Sequence, residues 1–145
     1  MRVLLLGSAG FLGSHVHAEL TRDPAVEWVT CVGRDRCDLV AATVEELVSL
    51  LREVDPTVVV NCTGRLDGTP AELLTANTLV TAKLVEATAQ VKAAGRPVRL
   101  IRLGSAGEYG LVPHGRAVTE DDPARPVSAY GVSHLAATQL VTQPP

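Results

Sequence analysis

The sequence has 145 residues, 46% hydrophobic and only 3% aromatic, with a formal net charge of −3 at neutral pH. That is enough chain for one domain with a core of Val, Leu and Ala, too apolar for a disordered segment and too acidic for a nucleic-acid surface. Three cysteines, Cys31, Cys37 and Cys62, form no CxxC pair and are odd in number, which excludes a disulfide scaffold or zinc site as the natural reading.

Short apolar runs alternate with longer amphipathic ones. Arg2–Leu6 reads as a strand, and a glycine loop follows it into a helix over Phe11–Thr21. Trp28–Val32 is the second strand. A helix over Thr43–Val54 comes next, with Val44, Leu47, Val48 and Leu51 at helical spacing and a Thr43/Glu46 capping box fixing its start. Thr57–Val60 is the third strand. A long helix over Ala71–Lys92 carries Leu73, Ala76, Val80, Leu84, Ala87 and Val91 on one stripe, and Gly95 and Pro97 stop it. Val98–Leu103 is the fourth strand. All four strands are expected to be buried on both faces. Residues 105–128 are the one long irregular stretch, and loops of that length inside a domain are often functional. Strands alternating with helices imply right-handed crossovers and an α/β, doubly wound parallel sheet. No run approaches the roughly 18 apolar residues of a membrane span, and the N-terminal apolar run is broken at once by glycine. The expected location is the cytoplasm.

The loop Gly7-Ser8-Ala9-Gly10-Phe11-Leu12-Gly13 lies between a strand and a helix N-terminus. Glycines there allow a tight turn and a close backbone approach to a pyrophosphate, whose charge the helix dipole favours. The choice of dinucleotide is read roughly 20 residues further on, after the second strand. The chain there reads Gly33-Arg34-Asp35-Arg36-Cys37-Asp38-Leu39. Arg34 suits the 2′-phosphate of NADP, while Asp35 leaves NAD possible.

These segments resemble the extended short-chain dehydrogenase/reductases, of the NAD-dependent epimerase/dehydratase type, over nearly the whole chain. GSAGFLG is similar to the family's glycine motif, which gives Gly7, Gly10, Phe11, Leu12 and Gly13 to the cofactor. Asp38-Leu39 resembles its adenine-binding Asp and the aliphatic residue after it. Val59-Val60-Asn61-Cys62-Thr63-Gly64 resembles the strand end beneath the cofactor, with Thr63 and Gly64 as contacts. Asn77 falls where the family has a structural Asn. Ser105-Ala106-Gly107-Glu108-Tyr109-Gly110 resembles the segment of the catalytic Ser, and Pro126–Gly131 the run into the catalytic Tyr130. The compact stretch from the second strand to Val60 is most similar to the nucleotide-sugar 4-ketoreductases of deoxysugar synthesis.

The resemblance implies a Rossmann-like fold and hydride exchange between NADP or NAD and a nucleotide sugar or other small keto substrate. Tyr130 would move the proton on the reacting oxygen while Ser105 holds that oxygen. Ala106 and Gly107 stand where a dehydratase would carry a polar–acidic pair, so Glu108 is expected to point elsewhere. His134 stands four residues after Tyr130, where the family has a lysine that anchors the nicotinamide ribose. It takes that catalytic and cofactor-binding place beside Tyr130, or is a plain surface histidine. His134→Lys is expected to restore the family geometry and raise the rate.

The sequence stops at Gln143-Pro144-Pro145, before the C-terminal strands and substrate domain of the family. The expectation is therefore one incomplete NAD(P)-binding domain over residues 1–145. The alternative is a non-catalytic dinucleotide-binding module without the lysine and substrate domain; a third is a ketoreductase of a non-sugar molecule. The fourth strand would be an apolar edge, which points to a homo-oligomer.

Overall fold

The computed structural model describes residues 1–142, and Gln143–Pro145 lie outside it. Four parallel strands, β1 (Arg2–Leu6), β2 (Trp28–Val32), β3 (Val58–Asn61) and β4 (Arg99–Arg102), form one sheet in the order β2-β1-β3-β4. Leu4 lies between Thr30 of β2 and Val59 of β3, and Val59 pairs onward with Leu100 of β4.

Side chains alternate across the strands. Leu4, Leu6 and Val59 point to the face covered by α2 (Val44–Val54) and α4 (Val80–Ala93), where Leu47, Leu51, Leu84, Ala87 and Val91 complete the main core. Val3, Leu5 and Val60 point to the other face. Among the described residues, α1 (Phe11–Arg22) is the only helix whose side chains, Val16 and Leu20, join that smaller cluster. The expected capping box is present: Glu46 N–H donates to Thr43 Oγ1 at 3.2 Å, and Thr43 N–H to Glu46 Oε2 at 2.8 Å.

Burial on both faces holds for the two central strands, β1 and β3. Cys31 on β2 and Arg99 and Ile101 on β4 are exposed, because these two strands are the edges of the sheet and α1 does not reach across to β4. The long helix is also more structured than its spacing suggests. α3 (Pro70–Leu73) runs into a π-helical segment, Leu74–Leu79, and then into α4, with α-region backbone at each junction. The wider turn brings Asn77 into the interior, 4% exposed, and leaves Ala76 of the expected stripe half-buried. Single π turns of this kind often mark functional sites. Beyond β4 a short 3-10 turn spans Ala106–Tyr109. α5 (Ala129–Thr142) starts at Ser128, whose Oγ accepts from Gly131 N–H at 3.1 Å.

Candidate functional site

The glycine loop leaves β1 in the left-handed region, with φ of +81° at Gly7. A Cβ on Gly13 would fall 2.0 Å from Gly7 O, so only glycine lets the first turn of α1 sit on the loop. Gly10 precedes α1 and offers no side-chain cap. The first-turn N–H groups are thus left to a ligand. Phe11 and Leu12 stand exposed there, 80% and 56%.

A cleft of about 570 Å³ opens beside the loop. Gly7, Arg34, Asp38, Leu39, Thr63, Gly64 and Ala76 are among its lining residues. Six of these seven are residues singled out in the sequence; Ala76 was expected in the core. Gly10, Phe11, Leu12 and Gly13 do not line it; Gly10 precedes α1 and the other three form its first turn. The two arginines after β2 separate here. Arg36 is tied to Glu53 at 2.8 Å, whereas Arg34 faces the cleft and makes no ion pair among the described residues. Asp35 does not line it.

Lys83, a residue the sequence reading passed over, holds the far wall. Its ammonium donates to the carbonyls of Leu39, Val40 and Ala42 at 2.7, 3.0 and 2.7 Å. Asp38 Oδ1 accepts from Val40 N–H, closing a local turn. The opposite wall is set by Asn77. Its Oδ1 accepts from Arg65 N–H at 2.8 Å, and its Nδ2 donates to Arg65 O and to Ser133 Oγ, each at 3.0 Å. Ser133, wholly buried, in turn donates to Tyr130 O at 2.7 Å. One amide therefore fixes both the cleft floor and the helix that carries Tyr130.

Ser105 and Tyr130 do not line this cleft; they flank Gly107. A Cβ on Gly107 would lie 3.3 Å from Ser105 Oγ and 3.5 Å from Tyr130 Cδ1. Ser105 does not end the strand, which stops at Arg102. It caps the 3-10 turn, its Oγ accepting from Gly107 N–H at 3.1 Å. Its own hydroxyl hydrogen is free of that bond. Glu108 is turned inward, 7% exposed, and accepts from Ser105 N–H at 3.0 Å.

His134 is not a surface residue: it is 7% exposed, and its ring lies 4.5 Å from that of Tyr130. The i, i+4 spacing gives this tilted ring contact, at 46° between planes, as expected for one helix face. Arg102, also absent from the sequence reading, donates to His134 Nδ1 at 2.8 Å and to Thr138 Oγ1 at 2.9 Å. Burial first, and then the Arg102 charge, push the imidazole below the usual histidine range, with Glu108 pulling the other way. No group of three or more metal-ligating side chains occurs among the described residues, and no helix there is long and apolar enough to cross a membrane.

Against known proteins, the model of the NAD dependent epimerase/dehydratase family matches residues 3–143. A dTDP-6-deoxy-L-talose 4-dehydrogenase (NAD(P)(+)) of Kitasatospora kifunensis is 36% identical over 98% of this chain and 47% of its own length. The Thermus thermophilus UDP-glucose 4-epimerase, solved with NAD, superposes with a TM-score of 0.80 at 29% identity, covering 98% of this chain and 50% of the epimerase. A dTDP-4-dehydrorhamnose reductase of Bacillus anthracis, solved with NADP, gives a TM-score of 0.81 at 16% identity, over 97% of this chain and 48% of that one, and shows the shared fold. The chain spans about half the length of these relatives.

Proposed function

The chain belongs to the NAD dependent epimerase/dehydratase family, and on that premise we propose that it binds NADP and reduces the keto group of a 4-keto-6-deoxy sugar linked to a nucleotide. The talose 4-dehydrogenase relative supports the position of the reacting carbon. The residues fit a dinucleotide. An uncapped helix start and the Gly7–Gly13 turn would take the pyrophosphate, and Asp38 and Leu39 the adenosine end. Thr63 and Gly64 would lie under the middle of the cofactor, with Arg34 free in the cleft for a 2′-phosphate. His134 Nε2 is buried without a partner among the described residues, a cost of about 1–3 kcal/mol that a ribose hydroxyl would relieve.

A nicotinamide held there would supply the hydride. The Tyr130 hydroxyl gives a proton to the carbonyl oxygen as the alcohol forms, and the Ser105 hydroxyl, its hydrogen still unused, holds that oxygen in place. The observation that carries this reading is that Ser105 Oγ and the Tyr130 ring both flank Gly107. Incubating the chain, and any longer natural form of it, with NADPH and a panel of dTDP- and UDP-linked 4-keto sugars tests it. The chain alone is expected to bind NADPH with negligible oxidation; a longer form should oxidise it, and Tyr130→Phe should abolish that oxidation with cofactor affinity kept. A longer form that binds NADPH but oxidises it with none of them points to the second reading, a non-catalytic dinucleotide module, which the histidine at position 134 favours. Arg34→Ala should weaken NADPH binding about tenfold and leave NADH nearly unchanged. The exposed Ile101 on edge strand β4 supports self-association, to be measured by sedimentation.

A further inference from the structure

Arg102 is the least expected residue of the tyrosine side. β4 alternates, so Arg99 and Ile101 point to the open face while Leu100 and Arg102 point toward the helices. The Arg102 side chain is 5% exposed, yet its nearest carboxylate, on Glu108, stands at 3.9 Å and already serves Ser105 N–H. Its two close partners, Thr138 Oγ1 and His134 Nδ1, are neutral acceptors. A guanidinium has donors only. Nδ1 must therefore present its lone pair, and the imidazole proton must sit on Nε2. A second positive charge on the ring would face the guanidinium at 2.8 Å, in a site that excludes water. Burial works against the Arg102 charge, and Glu108 first and then Tyr130 sustain it.

We infer that Arg102 is the positioning residue of the tyrosine site: it locks His134 neutral, with its proton on Nε2, and keeps the positive charge beside Tyr130 on the guanidinium rather than on residue 134. This rests on the reading of Tyr130 as proton donor, but its decisive test does not. The charged and titratable groups facing His134 are Arg102 from β4, Glu108 from the 3-10 turn and Tyr130 from its own helix. The π segment packed on α5 bonds Ser133 through Asn77 and Thr78, neither of them titratable. The inference reverses the expectation that His134→Lys restores activity, because the new ammonium would meet Arg102.

Side-chain nitrogen NMR of the full chain reads the tautomer directly. His134 should stay neutral and protonated on Nε2 through the pH region near 6.5 where an ordinary histidine charges. Its titration should move upward in Arg102→Met and stay low in Arg102→Lys. A proton on Nδ1, a charged ring in that region, or an unmoved titration in Arg102→Met overturns the inference. NADPH affinity, with thermal unfolding followed in parallel, gives the second arm. His134→Lys alone should lose about tenfold or more, and Arg102→Met combined with His134→Lys should recover most of it. Unimpaired binding by His134→Lys alone overturns the inference. Failure of every form, including the unsubstituted chain, to bind a dinucleotide instead removes the proposed function, while the nitrogen spectrum still decides the role of Arg102.

Discussion

The two halves of the site are built from different materials. The cleft side is mostly backbone: a glycine turn at Gly7, the uncapped start of α1, and carbonyls of the Leu39–Ala42 loop gathered by one lysine. The tyrosine side is mostly buried polar side chains: Arg102 of β4 meets His134 of α5 and stands 3.9 Å from Glu108 of the 3-10 turn, and Ser133 of α5 meets Asn77 of the π segment. Backbone surfaces suit a ligand whose diphosphate carries the same charge whatever is attached to it. Side-chain networks suit a position where one proton must be on a particular atom. Damage to the first should therefore fall on shape and affinity, and damage to the second on protonation.

The sharpest break is expected at Gly13→Ala. Its Cβ would lie 2.0 Å from Gly7 O, backbone against backbone, so the loop must move. Dinucleotide binding should be lost and stability should fall by about 3 kcal/mol, as measured by urea unfolding, with the His134 tautomer unchanged. Wild-type affinity in this variant would mean that the loop is not the binding surface.

Lys83→Met comes next. It keeps the aliphatic stem but removes three charge-assisted bonds to carbonyls. A stability loss of about 2 kcal/mol and an NADPH affinity lower by about tenfold are expected. An unaltered affinity would show that the Asp38–Ala42 loop holds its shape without the clamp.

The difference between these two residues is also the difference in what the sequence discloses. Gly13 belongs to a local motif, as do Thr43 with Glu46 and the apolar runs of β1 and β3, and all were legible because their partners are neighbours in the chain. Lys83 reads as an ordinary helix-surface residue until the fold brings Leu39 to it, 44 positions away. Arg102 and His134 are 32 apart, and Asn77 and Ser133 are 56 apart. No periodicity or spacing reports such pairs. Ser105 and Tyr130 were found through their flanking segments, and the edge strands β2 and β4 were misjudged because apolar composition alone does not say which strands lack an outer neighbour.

The smallest effect belongs to the tyrosine side and to pH. The folded chain binds a proton at His134 less readily than an ordinary histidine does, chiefly because the ring is buried. As pH falls through about 6.5, the unfolded chain takes up that proton and the folded chain does not, so stability declines on acidification and is fully present above that region. Urea midpoints across the range should show this slope, and His134→Asn should flatten it. A slope that survives the substitution would assign the proton to another group.

Asn77 sits on the boundary between the two halves, and its three bonds give them a common thermodynamic fate. Its amide is held by the Arg65 backbone on one side and by Ser133 of α5 on the other. A ligand that quiets the cleft floor also narrows the motion available to the amide, and through Ser133 to the start of α5. Ordering already completed at one end does not have to be repeated at the other, which is positive cooperativity without any change of shape. Amide exchange in the first turns of α5 should therefore slow when dinucleotide fills a cleft that those residues never touch.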